Sequence, residues 1–278
     1  MRDPFLVHCH IPKTGGSALN RRFLFARFGE KNVHQMYRYV FERFSSLPMR
    51  HRARSMRSFA ASGHVPFGYF DQIYPEAVYI SVIREPVARF VSFLNFVASE
   101  PGHAVYQRLC QQGVDPLRAD PECCVAAALS DPHLKAIHCN ATTRLAGGQA
   151  RLGRTLIDWR IYEAALANLA KARYLVGLQS ELPEFMARLA ISFGAPAGPV
   201  SVPAKLEKRL GRRISISDLA PATVNRIAQA NDLDRRLYDH VRSMMPREAT
   251  ERCASPTPVV ARARMPKSVE SVELPLAG

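Results

Sequence analysis

The sequence predicts an α/β fold, a central, mainly parallel β-sheet flanked by helices. Three observations predict it. Ala77–Ile83 (AVYISVI) is an unbroken apolar run of the kind found in strands covered on both faces. Tyr174–Leu178 (YLVGL) is a second such run. Segments of helical periodicity alternate with these runs, and strands alternating with helices build βαβ units.

The elements follow in order. A first strand is expected over Phe5–Ile11 (FLVHCHI), short, apolar and rich in branched residues, stopping at Pro12. After Lys-Thr-Gly-Gly-Ser a helical pattern begins, with Leu19, Phe23 and Phe28 recurring between Arg21, Arg22 and Arg27. Residues 34–62 read as one or two basic helices, broken at Ser45-Ser46-Leu47-Pro48. The Ala77–Ile83 strand closes at Arg84-Glu85-Pro86, and Val87–Ala98 reads as a helix, with Pro86 suited to its first turn. Residues 102–150 read as short helices joined by polar turns. An amphipathic helix follows the Tyr174–Leu178 strand over about Leu182–Phe193, and a last helix covers Ala222–Met244. From Pro246 onward Pro, Ser, Val and scattered charges show no period. One domain over residues 1–246 and a disordered tail over 247–278 are therefore expected.

The chain has 278 residues, 47% hydrophobic, enough to bury a substantial core. Lys and Arg number 38 against 24 Asp and Glu, a formal charge of +14, which points to an anionic partner. No run of about 18 apolar residues is present, so a spanning helix is not expected, although peripheral contact with a membrane surface stays open. The start lacks a secretory pattern. The six cysteines are few and irregularly spaced, which suits reduced thiols and a cytoplasmic location. His8 and His10 fall on one face of a strand with Cys9 on the other, and Cys123-Cys124 is a vicinal pair, so no metal is expected.

Two segments carry the chemistry. His10-Ile-Pro-Lys-Thr-Gly-Gly-Ser-Ala-Leu19 joins a strand to a helix. Its glycines, Gly15 and Gly16, let the backbone turn around an anion, and the free amides of the helix start point at it. Lys13 supplies a point charge, and Thr14 and Ser17 supply hydroxyls. A Gly-Gly turn capped by Ser is also ordinary strand-to-helix punctuation. The segment is not a Walker A motif, since G-x-x-x-x-G-K-[ST] cannot be written over it. Ile80–Ser92 again runs from a strand end into a helix, with Arg84 where open α/β sheets place ligands. Ser92, two turns on, could face the same group as Arg84 or Arg89. Arg84 could equally pair with Glu85.

Together the two segments resemble those of sulfotransferases that use 3′-phosphoadenylyl sulfate (PAPS). HIPKTGGSAL looks like their 5′-phosphosulfate-binding loop, and IREPVARFVSFLNF looks like the strand and helix whose Arg and Ser hold the 3′-phosphate. The PKTGGS form is similar to the carbohydrate branch, to heparan-sulfate 2-O-sulfotransferase and its bacterial relatives. Ser62-Gly63-His64-Val65 resembles the Gly-His-Val segment bearing that group's catalytic histidine. Asn140–Gly147, Leu175–Leu182 and Asn231–Tyr238 resemble later segments of the family, and the likeness spans roughly residues 5–245.

The resemblance implies a P-loop-like sulfotransferase fold and transfer of a sulfuryl group from PAPS to a hydroxyl of a carbohydrate or lipid-linked glycan. It implies nucleotide binding by Lys13, Thr14, Gly15, Gly16, Ser17, Ala18, Arg84 and Ser92. Lys205, in a basic cluster with Lys208, Arg209, Arg212 and Arg213, falls where such enzymes close a loop over the nucleotide. Lys13 suits leaving-group stabilisation, and His64, whose unperturbed imidazole titrates near neutral pH, suits proton removal. Without the resemblance, His64 reads first as a capped histidine in a Gly-containing turn. Ten basic residues between Asn20 and Arg57 face only Glu30 and Glu42, either as a solvated face or as a wall for an anionic acceptor. The alternatives are a P-loop-like small-molecule kinase, a family member that binds nucleotide without catalysis, and a nucleic-acid-binding module. The last is disfavoured because no helix-turn-helix, zinc-finger or RRM signature appears.

Overall fold

The computed structural model describes residues 4–37, 43–55, 58–149, 158–194 and 213–252. Five strands form one parallel sheet: β1 (Leu6–Cys9), β2 (Val33–Met36), β3 (Ala60–Gly63), β4 (Val78–Ile83) and β5 (Tyr174–Leu178), in the order β2-β3-β1-β4-β5. In register, Leu6 lies between Ala60 of β3 and Val78 of β4, and Tyr79 lies opposite Tyr174 of β5. The chain is thus α/β with helices on both faces.

Side-chain alternation along the strands divides the core. Leu6, Val33, Ala60, Ile80 and Val82 face one layer, made of Leu19, Phe23 and Leu24 from the first helical segment and Leu182, Phe185, Met186 and Leu189. Val7, Cys9, Met36, Ala61 and Tyr79 face the other, with Phe67, Phe70, Tyr162, Ala165 and Leu237. The first helical segment runs through α1 (Gly16–Leu19), a π-helical stretch (Asn20–Leu24) and α2 (Phe25–Phe28). Then come α3 (Met49–Ser55) and α4 (Pro86–Ala98), the latter N-capped by Glu85, whose carboxylate accepts from the Val87 and Ala88 amides at 2.9 and 2.6 Å. Helices α5 (Ala104–Gln111), α6 (Pro121–Ser130) and α7 (Pro132–His138) pack with α4 around a core of their own, and α8 (Ala141–Ala146) follows, with Ala146 in the sheet's core. Next are α9 (Trp159–Leu169), α10 (Leu182–Phe193), α11 (Pro221–Ala230) and α12 (Asp232–Arg252). Among the described residues no helix is long and apolar enough to cross a membrane.

Three expectations change. Residues 34–62 are not wholly helical: they hold most of β2 and all but the last residue of β3, with α3 between them. The strand β3 is Ala-Ala-Ser-Gly, and its last residue has no room for a side chain: a Cβ on Gly63 would lie 2.0 Å from the Met36 carbonyl oxygen of β2. The expected last helix divides into α11 and α12 at Asn231, and α12 runs to Arg252, into the segment expected to be unstructured. The rest of that segment, 253–278, lies outside the described residues.

The strand order positions the site. The chain leaves β1 toward β2 on one side and leaves β4 toward β5 on the other. The carboxyl ends of β1 and β4 therefore flank the point where the winding reverses, where an open α/β sheet leaves a crevice for ligands.

Candidate functional site

The loop after β1 starts from a backbone tie: the His10 amide donates to the Gly63 carbonyl at 2.7 Å. Lys13 adopts a left-handed conformation (φ 69°), which costs a non-glycine residue about 1–2 kcal/mol. Gly15 (φ 96°) is the N-cap of α1 with no side-chain cap, so the first-turn amides have no side-chain acceptor there. Ser17 is exposed and Ala18 half-buried beside these amides. Gly16 has no room for a side chain, because a Cβ would lie 2.1 Å from Cδ2 and 2.5 Å from Nε2 of His10. Thr14 differs from expectation. It is fully buried and its hydroxyl donates to the Ile11 carbonyl at 2.9 Å, so its side chain braces the loop and faces no ligand.

Arg84 leaves the end of β4, and its Nη1 lies 3.4 Å from the Lys13 carbonyl oxygen, joining the two strand-end segments across the winding reversal. Burial, foremost, lowers the pKa of its guanidinium; Glu85 opposes this and Arg213 and Arg89 add to it. It stays cationic at neutral pH. A cleft of about 130 Å³ beside it is lined by Arg84, Glu85, Ala88, Gln179, Ser180 and Tyr238. Ala88, Ser92 and Phe96, four residues apart, form one half-buried stripe along α4. Ala88 lines the cleft, and the Lys13 ammonium sits 4.6 Å from the centroid of the Phe96 ring. Ser92 therefore lies on the face that runs from Arg84 to Lys13.

Arg89 is removed from that face. It is 1% exposed, donates to the His138 carbonyl (2.6 Å) and Asn231 Oδ1 (3.0 Å), and pairs with Asp234 at 3.5 Å. Ser92 thus shares a surface with Arg84 alone of the two arginines. Lys205 lies outside the described residues, as do Lys208, Arg209 and Arg212. Arg213, the described member of that cluster, is held close to α4 because the Asn95 amide clamps its neighbour: Asn95 Nδ2 donates to the Ile214 carbonyl at 2.8 Å and the Ile214 amide to Asn95 Oδ1 at 2.7 Å.

His64 follows β3 directly, so its backbone stands beside the start of the β1 loop. Its ring meets those of His10 and Tyr37 edge to face, each at 5.4 Å between centroids. Burial pushes its pKa down to about 4, a correction to the expectation of near-neutral titration. At pH 7 it is a neutral imidazole, able to accept a proton. The His8 ring stacks on His10 at 5.2 Å, and His8 too is held down to about 4 by burial. Asn20, in the π-helical stretch, ties this cluster together. Its Oδ1 lies 2.6 Å from His8 Nδ1 and accepts from the Ser62 hydroxyl at 2.7 Å; its Nδ2 donates to the Tyr37 oxygen at 3.2 Å. Among the described residues no group of three or more His, Cys, Asp or Glu is arranged to hold a metal ion.

Sequence reading missed Asn20, Tyr37 and Asn95. Only the π-helical stretch at Asn20 marks a site locally. The Asn140 segment serves the architecture. Asp234 accepts from the Thr142 amide (3.1 Å), the Thr143 amide (2.7 Å) and the Thr143 hydroxyl (2.8 Å), capping α8 from α12. Arg144, 1% exposed, donates to the Ala136 carbonyl. No protein-family model matches the chain, and no curated protein matches its sequence.

Proposed function

We propose that this chain transfers a sulfuryl group from 3′-phosphoadenylyl sulfate to a hydroxyl of a carbohydrate or glycan-type acceptor. The observation that carries the reading is the pairing of two cationic strand ends across the winding reversal, with Arg84 reaching the Lys13 carbonyl and His64 on the neighbouring strand. The donor carries phosphate at both ends of its ribose, so it needs two separate anion contacts. Lys13, Gly15, Gly16, Ser17 and Ala18 supply one and Arg84 with Ser92 the other.

In this reading His64, neutral at pH 7, takes the proton of the acceptor hydroxyl as that oxygen bonds to sulfur. The bond from sulfur to the bridging oxygen breaks, and its electron pair leaves on the 5′-phosphate. Lys13 and the first-turn amides stabilise that growing charge. A kinase reading is less well served at this cleft, because both oxygens of Glu85 already cap α4.

Calorimetric titration with adenosine 3′,5′-bisphosphate tests the first requirement. Arg84→Ala removes a charge-assisted contact and should weaken binding by at least about tenfold. No binding by the native chain would sink the proposal. Labelled donor offered with glycans, lipopolysaccharides and small alcohols then identifies the acceptor class. His64→Ala should lower transfer by about a hundredfold or more to a residual rate while leaving bisphosphate affinity intact, and unaltered transfer would refute His64 as the base.

A further inference from the structure

We propose that His10 and Tyr37 are positioning residues that lock the imidazole of His64 to the anion-binding loop. This rests on the reading of His64 as proton acceptor. Three observations carry it.

First, the His64 ring packs edge to face against two other rings, those of His10 and Tyr37, each at 5.4 Å. Those two neighbours set its orientation. Second, His10 and Tyr37 are fixed to one another: His10 Nδ1 lies 3.2 Å from the Tyr37 oxygen, and their rings meet edge to face at 5.9 Å. An amide nitrogen can only donate, so the Tyr37 oxygen accepts from Asn20 Nδ2 while it also bonds His10 Nδ1, and the hydroxyl is held from both sides. Third, the Cδ2–Nε2 edge of His10 fills the space beneath Gly16, where a Cβ would lie at 2.1 and 2.5 Å from those atoms. One ring therefore touches both the start of α1 and His64, and the Tyr37 hydroxyl holds that ring in place. Asn20 extends the bracing inward to His8 and Ser62, at 2.6 and 2.7 Å. A shift of the loop is passed to the base through His10, and a displacement of about 1 Å at a reacting group can lower a rate about a hundredfold.

The test is a double-mutant cycle on the full chain. Tyr37→Phe keeps the ring and removes only the hydroxyl. It should lower kcat about tenfold or more with donor KM within about twofold, and it should change nothing further in a His64→Ala background. Equal losses in both backgrounds would show that Tyr37 does not act through His64 and would overturn the proposal. His10→Asn, which keeps a polar atom near Nδ1 but lacks the ring edge, is the second variant and should behave alike. A readout without turnover separates this proposal from the functional one. The His64 ring resonances in the nucleotide-free protein should form one sharp set that broadens or doubles in Tyr37→Phe. An unchanged set would overturn the positioning role. If they change while the native chain shows neither bisphosphate binding nor transfer, the sulfotransferase reading fails and the positioning role stands.

Discussion

Asp234→Asn tests the account of the buried ionic network. Both carboxylate oxygens are engaged: Oδ1 accepts from the Thr143 amide and hydroxyl, and Oδ2 from the Thr142 amide, with Arg89 at 3.5 Å. Asparagine offers one oxygen, so its NH2 group must face either the Thr143 donors or the Thr142 amide and Arg89. Either way the charge opposite a guanidinium with 1% exposure is lost. Breaking a buried pair by removing one partner costs about 3–5 kcal/mol, a large share of the roughly 5–15 kcal/mol that holds a domain folded. Urea denaturation should show that loss as a lower midpoint at unchanged slope. A loss under about 1 kcal/mol would refute the reasoning. Arg89→Met added to Asp234→Asn should recover part of it, since it removes the guanidinium left without its counter-charge while the introduced asparagine still caps α8. In the folded baseline, Asp234→Asn should leave bisphosphate affinity within about twofold, because Arg89 faces away from the Arg84 cleft.

Three further outcomes follow from the same geometry. With His64 held at about 4, kcat/KM should stay level from neutral pH to about 5 and fall only through about 4; an acid limb near 6.5 would contradict its burial. Because folded His8 and His64 resist protonation while the unfolded chain does not, their stabilising contribution is complete above 6.5 and is lost as pH falls from there through about 4. Thermal midpoints at pH 7.5 and 5 should show that decline, and equal midpoints would oppose it. Gly16→Ala drives a methyl into His10 and should cost about 1–3 kcal/mol along with nucleotide binding, partly relieved by His10→Ala. Gly102→Ala, with nothing within 4 Å of its Cβ, is the neutral control.

Much of the frame was legible in the sequence. The strand Tyr174–Leu178 and the helix Leu182–Phe193 appear with the bounds expected, because a long apolar period survives without its neighbours. The strand β3 was not legible: Ala60-Ala-Ser-Gly63 lacks the branched residues that mark a strand, and the reason its last residue is Gly is the Met36 backbone, which only the pairing reveals. The site divided in the same way. Lys13, Gly15, Gly16 and Arg84 stand where strands meet helices, a position that local pattern can find. Arg89, one turn inside α4, was as open a partner for Ser92 as Arg84, and only Asn231 and Asp234 show that it turns inward. Tyr37 and Asn20 lack any local motif, since what they bond to comes from separate strands and their ends.

The placement of β1 bears on how the chain is made. The central strand β1 pairs with residues 60–63 and 78–80, which follow it in the chain, and β4 waits for Tyr174 to Leu178. Such distant pairings are slow to find. The loop after β1, Tyr37, His64 and Arg84 are all synthesised while the outer edge of β4 still lacks its neighbour. That edge, Val-Tyr-Ile-Ser-Val-Ile, is a flat apolar template exposed for the time it takes to translate the chain from Ile83 to Tyr174. The nascent chain is therefore most vulnerable to misassembly after β1 to β4 have formed and before β5 arrives to cover that edge.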